Sequence, residues 1–119
     1  MPFMRDHQAV EPARSDVDAQ AGWLLIEFGA PWYGHCQAAQ PALQAFVDAH
    51  DLPHWKMEDG RGEPLGRSFQ VKLWPTDVLL RDDQEVARVE RPVDSADLST
   101  LVATIPTWRR ACSTASDFW

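Results

Sequence analysis

Cysteine is scarce in this chain: Cys36 and Cys112 are the only two in 119 residues. Thiols so few and so far apart exclude a disulfide framework and the close pairs that ligate zinc, and in a reducing compartment both are free. Positive charge is also short, with 11 Lys and Arg against 18 Asp and Glu and a net charge of −7. That balance favours solubility and works against a nucleic-acid partner or an anionic membrane surface. No stretch of about 18 apolar residues occurs. The opening "MPFMRDHQAV" has no basic segment leading into an apolar run. Neither a membrane span nor a signal peptide is therefore read, and a cytoplasmic location is expected. Histidine is limited to His7, His35, His50 and His54, and the last two flank Pro53 and cannot share a helical face. No metal site and no cofactor are expected, and nothing specifies an oligomeric state.

Apolar residues, at 45% of the chain, suffice for one core, and the length is too short for two domains of ordinary size. Residues 1–14 are polar and expected to be loosely ordered, apart from a short edge strand near Gln8 to Val10. Ser15 or Asp16 caps a short helix that Gly22 stops. "WLLIEF", Trp23 to Phe28, is an apolar run broken only by Glu27 and ended by Gly29, Ala30 and Pro31, the pattern of a strand buried on both faces. Cys36, Ala39, Leu43, Phe46 and Val47 then recur at helical spacing, which predicts an amphipathic helix from about Gly34 to His50, bent where Pro41 deletes a backbone hydrogen bond. Trp55 to Glu58 reads as a second strand, followed by the loop "GRGE" and a short helix opened by Pro64, with Leu65 and Phe69 on one face. "DVLLRDDQEVARVE" reads as a hairpin, its polar turn at Asp82 to Gln84 and its second strand from about Glu85 to Glu90. Asp94 or Ser95 caps a last helix that buries Leu98, Leu101, Val102 and Ile105 and stops at Pro106. The tail 106–119 has no period and holds Trp108, Cys112, Phe118 and Trp119. This order of elements implies an α/β sandwich built on a mixed sheet.

Four features, in order and in spacing, resemble the thioredoxin family across about Ser15 to Ile105. "LLIEFGAPWYGHC" is similar to that family's strand with an acidic residue, followed by its tryptophan and four-residue active-site turn. Pro41, five residues after Cys36, matches the proline that kinks the next helix. "PLGRSFQVKLWPT" resembles the short helix and the approach to a cis-proline, placing that role on Pro75, and "DVLLRDDQEVARV" matches the closing hairpin. The resemblance implies the thioredoxin fold, a three-layer α/β/α sandwich around a central mixed sheet, with residues 15–105 as the domain between the N-terminal segment and the C-terminal tail.

The family's reaction uses two thiols, the first attacking a substrate disulfide and the second resolving the mixed disulfide. Here the active-site motif is Trp32, Tyr33, Gly34, His35 and Cys36, so a phenol with an ordinary pKa near ~10 stands in the first thiol's place and offers no equivalent exchange chemistry. Gly34 and His35 keep the spacer of strongly oxidising relatives. Cys36 reads either as a small buried hydrophobe on the helix stripe or as a single reactive thiol. Glu27 resembles the family's buried acid, the proton acceptor for the second cysteine. Its burial predicts a raised pKa, and the alternative is a carboxylate satisfied by Lys56. Asp77 reads either as a second buried acid coupled to Glu27 or as an exposed strand-end aspartate.

The resemblance further implies that an extended segment of a protein or peptide partner docks beside the cis-proline, a form of strand addition that assigns contact to Trp32, Tyr33, Trp74, Pro75 and Thr76. For Trp32 and Trp74 the alternative is packing on the helix. The leading expectation is a thioredoxin-like binding or adaptor module without dithiol oxidoreductase activity. The alternative is a monothiol oxidoreductase using Cys36 with Glu27, or an active oxidoreductase in which Tyr33 is a substitution.

Overall fold

A computed structural model of the chain describes residues 14–30, 32–59 and 64–105. The expected strand near Gln8 to Val10, the loop after Asp59, Pro31, Cys112 and the aromatic tail lie outside the described residues. The elements run α1 (Arg14–Asp18), β1 (Trp23–Gly29), α2 (Gly34–His50), β2 (His54–Glu58), α3 (Pro64–Ser68), β3 (Thr76–Arg81) and β4 (Gln84–Glu90). A single 3-10 turn (Ser95–Leu98) then leads into α4 (Ser99–Thr104).

The four strands lie in the order β2-β1-β3-β4. β1 runs parallel to β2, as the intervening helix α2 requires, and antiparallel to β3, which continues antiparallel into β4. All seven residues of β1 are buried. Side chains alternate across the sheet, so two cores form. On one face Leu25 and Leu79 pack with Ala39, Leu43, Phe46 and Val47 of α2 and with Leu98 and Leu101. On the other, Leu24, Ile26, Phe28, Val78 and Leu80 pack with Val17, Leu65 and Phe69. The three-layer sandwich follows from this division. It also fixes where the odd residues point: Glu27 and Asp77 share the period of Leu25 and Leu79 and therefore face α2.

Several boundaries differ from expectation. Helix α1 begins at Arg14, whose guanidinium bonds Asp18 Oδ1 at 3.1 Å and Ser68 O at 3.0 Å, so Ser15 and Asp16 lie inside the first turn instead of capping it. Gly22, at φ +78°, does not end that helix. It immediately precedes β1 and is tied to the hairpin, its N–H donating to Asp82 Oδ1 at 2.7 Å and its carbonyl accepting from Asp82 N at 2.8 Å. β2 begins one residue early, at His54. The hairpin turn is Asp82 and Asp83 alone, with φ of 49° and 66°, the left-handed pair whose twist suits a two-residue connection, and Gln84 joins β4. Asp94 caps the 3-10 turn, in a reciprocal box with Asp97, whereas α4 itself, expected to be the capped helix, has Leu98 at its N-cap.

Leu79, fully buried on the central strand, tests the core on the α2 side. Leu79→Ala should lower the unfolding free energy by about 2–5 kcal/mol, read from the denaturant midpoint.

Candidate functional site

The first turn of α2, the end of β1 and the Trp74–Pro75 peptide bond, which is cis, meet at one point. Tyr33 is the N-cap residue of α2, in extended conformation and with no side-chain capping bond. Cys36 lies in the next turn, its amide bonded to Tyr33 O at 3.0 Å. Its side chain is 2% exposed and Sγ accepts from Ala30 N at 3.4 Å. Gly29 makes this packing possible, since a Cβ there would stand 2.5 Å from Cys36 Sγ and 3.7 Å from Pro75 Cα. Burial pushes the Cys36 thiol above its ordinary range, and the nearby carboxyls of Glu27 and Asp77 push the same way against the Ala30 amide and Lys56. Of the two expectations for Cys36, the buried residue is the one the geometry matches.

Behind Cys36 the α2 face of the sheet holds a buried polar cluster. Glu27 and Asp77 are register partners across β1 and β3, and both are fully buried. Gln40, one helical turn after Cys36, donates to Glu27 Oε2 at 2.9 Å and to Cys36 O at 2.8 Å. Its own carbonyl accepts from Lys56 Nζ at 2.7 Å. His54 Nε2 lies 3.4 Å from Glu27 Oε1. Neither oxygen of Asp77 has a hydrogen-bond partner among the described residues.

These contacts decide which acid keeps the proton. Burial drives the Glu27 pKa up, but the contacts to His54 and Gln40 and the charge of Lys56 outweigh it, and the net direction is down. This corrects the expectation of a raised Glu27: burial and the nearness of Lys56 were legible, whereas the approach of His54 and the bond from Gln40 were not. Asp77 takes the opposite course, its pKa well above the ordinary carboxylate range through burial and then the charge on Glu27. The two shifts run in opposite directions, so as pH rises Glu27 ionises before Asp77. The strand-end alternative for Asp77 fails because the residue is in the middle of the core. Lys56 reaches Glu27 through Gln40.

The outer side of the site is aromatic. Trp32 is 67% exposed, which settles it as surface, whereas Tyr33 and Trp74 are half-buried. The three rings meet pairwise at 5.8 Å between centroids, each edge to face. Trp74 is held by its indole N–H, which donates to Asp59 Oδ2 at 2.8 Å. Gly34 and His35 are exposed, and the His35 ring lies 5.4 Å from that of Tyr33. Pro75 and Thr76 are buried, and Thr76 Oγ1 donates to Leu73 O at 2.6 Å, so its hydroxyl braces the turn from inside.

Arg91, which the sequence did not single out, ties this edge together. Its backbone sits at φ +51°, a region costly for a long side chain, with its amide on Pro75 O at 2.8 Å. Its Nε donates to Trp74 O at 3.1 Å and its Nη2 to the Tyr33 hydroxyl at 3.1 Å. The Trp74 carbonyl on the expected docking edge therefore already has an internal partner. Tyr33, Lys72, Trp74 and Arg91 line a shallow pocket of about 220 Å³. Gln40 could have been found in the sequence from its spacing of four after Cys36. Nothing in "ERPVD" signals the left-handed turn at Arg91.

Two outcomes follow for the interior. Because the folded pKa of Asp77 is raised, the stability linked to its neutral form is complete below the unfolded aspartate value near ~3.9 and is lost as pH rises through the folded value. Asp77→Asn should therefore be more stable than the parent at neutral pH, by a margin that shrinks on acidification, in thermal melts across pH. A margin independent of pH would refute the assignment of the proton to Asp77. Separately, Gly29→Ala should destabilise by about 1–3 kcal/mol, since the added carbon forces Cys36 or the Pro75 turn to move, as read by chemical unfolding.

The comparisons agree with this architecture. Residues 8–104 match the family model described as Thioredoxin. The thioredoxin of Chlamydia pneumoniae is 32% identical over 85 residues, covering 69% of this chain and 81% of that protein. Thioredoxin H2 of Arabidopsis thaliana is 30% identical over 67 residues, and the match spans half of its length. Among solved structures, thioredoxin 2 from Pseudomonas aeruginosa PAO1 in its reduced form is 52% identical, with a TM-score of 0.73, covering 85% of this chain and 95% of that one. By sequence and by fold the chain belongs to the thioredoxin family.

Proposed function

We propose that this chain is a binding module of the thioredoxin family, one that holds an extended polypeptide segment on the cis-proline edge without dithiol exchange. One observation carries the reading: the helix-start position where the family's attacking sulfur belongs is filled by Tyr33, whose hydroxyl accepts from Arg91 and whose ring closes the aromatic cluster with Trp32 and Trp74. Exchange needs an accessible thiolate at that point. Cys36, the one cysteine among the described residues, is buried, and its pKa is raised, which disfavours the thiolate twice over. The surface beside it has the composition of a recognition surface, large rings with polar edges around backbone groups. Glu27 is then a structural carboxylate, ionised and held by Gln40, and no proton transfer to a resolving thiol is required of it.

The test uses a Cys112→Ser background so that Cys36 alone reports. Alkylation of Cys36 in the native protein should be slower than in denaturant by ~100-fold or more, because the reagent must wait for local opening. In parallel, the chain should show no catalysis of protein-disulfide reduction by dithiothreitol. Rapid native labelling with a depressed thiol pKa, or catalytic turnover, would return the assignment to a monothiol enzyme.

A further inference from the structure

The pocket beside Tyr33 is positively charged in a chain of net charge −7. Two of its four lining residues are cations, Lys72 and Arg91, and the other two are the aromatic rings of Tyr33 and Trp74. Among the described residues neither cation has a carboxylate partner. Arg91 bonds only neutral acceptors, the Trp74 carbonyl and the Tyr33 hydroxyl. A guanidinium has five N–H donors, of which these two bonds use two, leaving three. Lys72 is exposed at the mouth of the same pocket.

We propose that the segment bound at this edge is acidic: an extended polypeptide carrying Asp or Glu beside the residue that packs on Trp32 and Trp74, its carboxylate received by Arg91 and Lys72. This rests on the docking reading above and names the chemistry of its partner. An incoming strand that pairs with the Trp74 backbone competes with the Arg91 Nε for the carbonyl there. A carboxylate compensates for that lost bond, because the freed guanidinium is planar and accepts a carboxylate through two parallel N–H donations, stronger than its present neutral contacts. A neutral or basic segment displaces the same bond and returns nothing, and a basic one adds repulsion from both cations. Charge selection at this edge is therefore a difference between partners, set by Arg91 and Lys72, while the aromatic cluster provides contact area common to all of them.

The experiment is selection of a displayed library of random linear dodecapeptides on the immobilised full chain, followed by titration of a selected peptide against the tryptophan fluorescence. Selected peptides should be enriched in Asp and Glu. Replacing the acidic residues of one by Gln or Asn should weaken its binding by about tenfold. Lys72→Gln combined with Arg91→Gln should remove the enrichment and the acid dependence together. Lys72→Gln alone, an exposed change that leaves the fold intact, should weaken the acidic peptide by a smaller factor and leave its Gln form unaffected. Peptides that bind, that compete for the surface removed by Trp32→Ala, and that show no acidic bias or a basic one, overturn the acidic assignment and leave the docking reading standing. Failure to select any peptide sensitive to Trp32→Ala overturns both.

Discussion

Two carboxyl groups face each other across the two central strands, and the low-dielectric space around them disfavours charging both. The register that puts Glu27 opposite Asp77 comes from the antiparallel pairing of β1 with β3, and the same register aligns the two hydrophobic faces. A slip of one residue to relieve the acids would turn every Leu, Ile and Val of either strand to the wrong core. The acids are therefore accommodated chemically. Asp77 keeps its proton, and Glu27 is stabilised by Gln40, with Lys56 behind it and His54 alongside. Asp77 bears the cost of the arrangement, since its oxygens find no partner among the described residues.

From this cluster outward the site has two layers with different chemistry. The inner layer is Cys36, in contact with backbone at Ala30 and made possible by the missing side chain of Gly29. The outer layer is the ring cluster of Trp32, Tyr33 and Trp74, held at its edges by Asp59 and Arg91. In a dithiol enzyme the first sulfur connects these layers, because it is at once surface and reactant. Tyr33 occupies the joint and belongs only to the outer layer. The acids lie buried behind Cys36, and the outer face of the site presents rings, a guanidinium and an ammonium.

Most of the fold was readable from period and punctuation. Cys36, Ala39, Leu43, Phe46 and Val47 gave α2 its full extent, and the cis-proline at Pro75 followed from the family resemblance. Glu27 and Asp77 were recognisable as misfits because each interrupts an apolar strand. The direction of the Glu27 pKa was out of reach, since it depends on where β2 sets His54 and Lys56 beside β1 and on a glutamine bond across layers. Arg91 was invisible for a different reason. Its role comes from a left-handed backbone conformation that composition gives no hint of in an arginine, and from a carbonyl that only the folded Trp74 turn presents to it. The misread boundary at Gly22 depends on a contact with Asp82, far along the chain, whereas that at Gln84 depends on the left-handed pair of the turn itself.

That contact has a consequence in time. Gly22 and Asp82 bond each other reciprocally across a separation of 60 residues, at the point where β1 begins and the hairpin turns. β1 emerges early in the chain, yet the strand that satisfies its second edge arrives only after α2, β2 and α3 have been made. Closing so long a loop costs chain entropy, and the β1–β3 pairing that offsets it is non-local. β1, apolar except at Glu27, has that edge covered by the β3–β4 hairpin, which also carries Arg91 to the Trp74–Pro75 turn. The pairing that completes the central sheet thus also sets Arg91 against the Trp74–Pro75 turn.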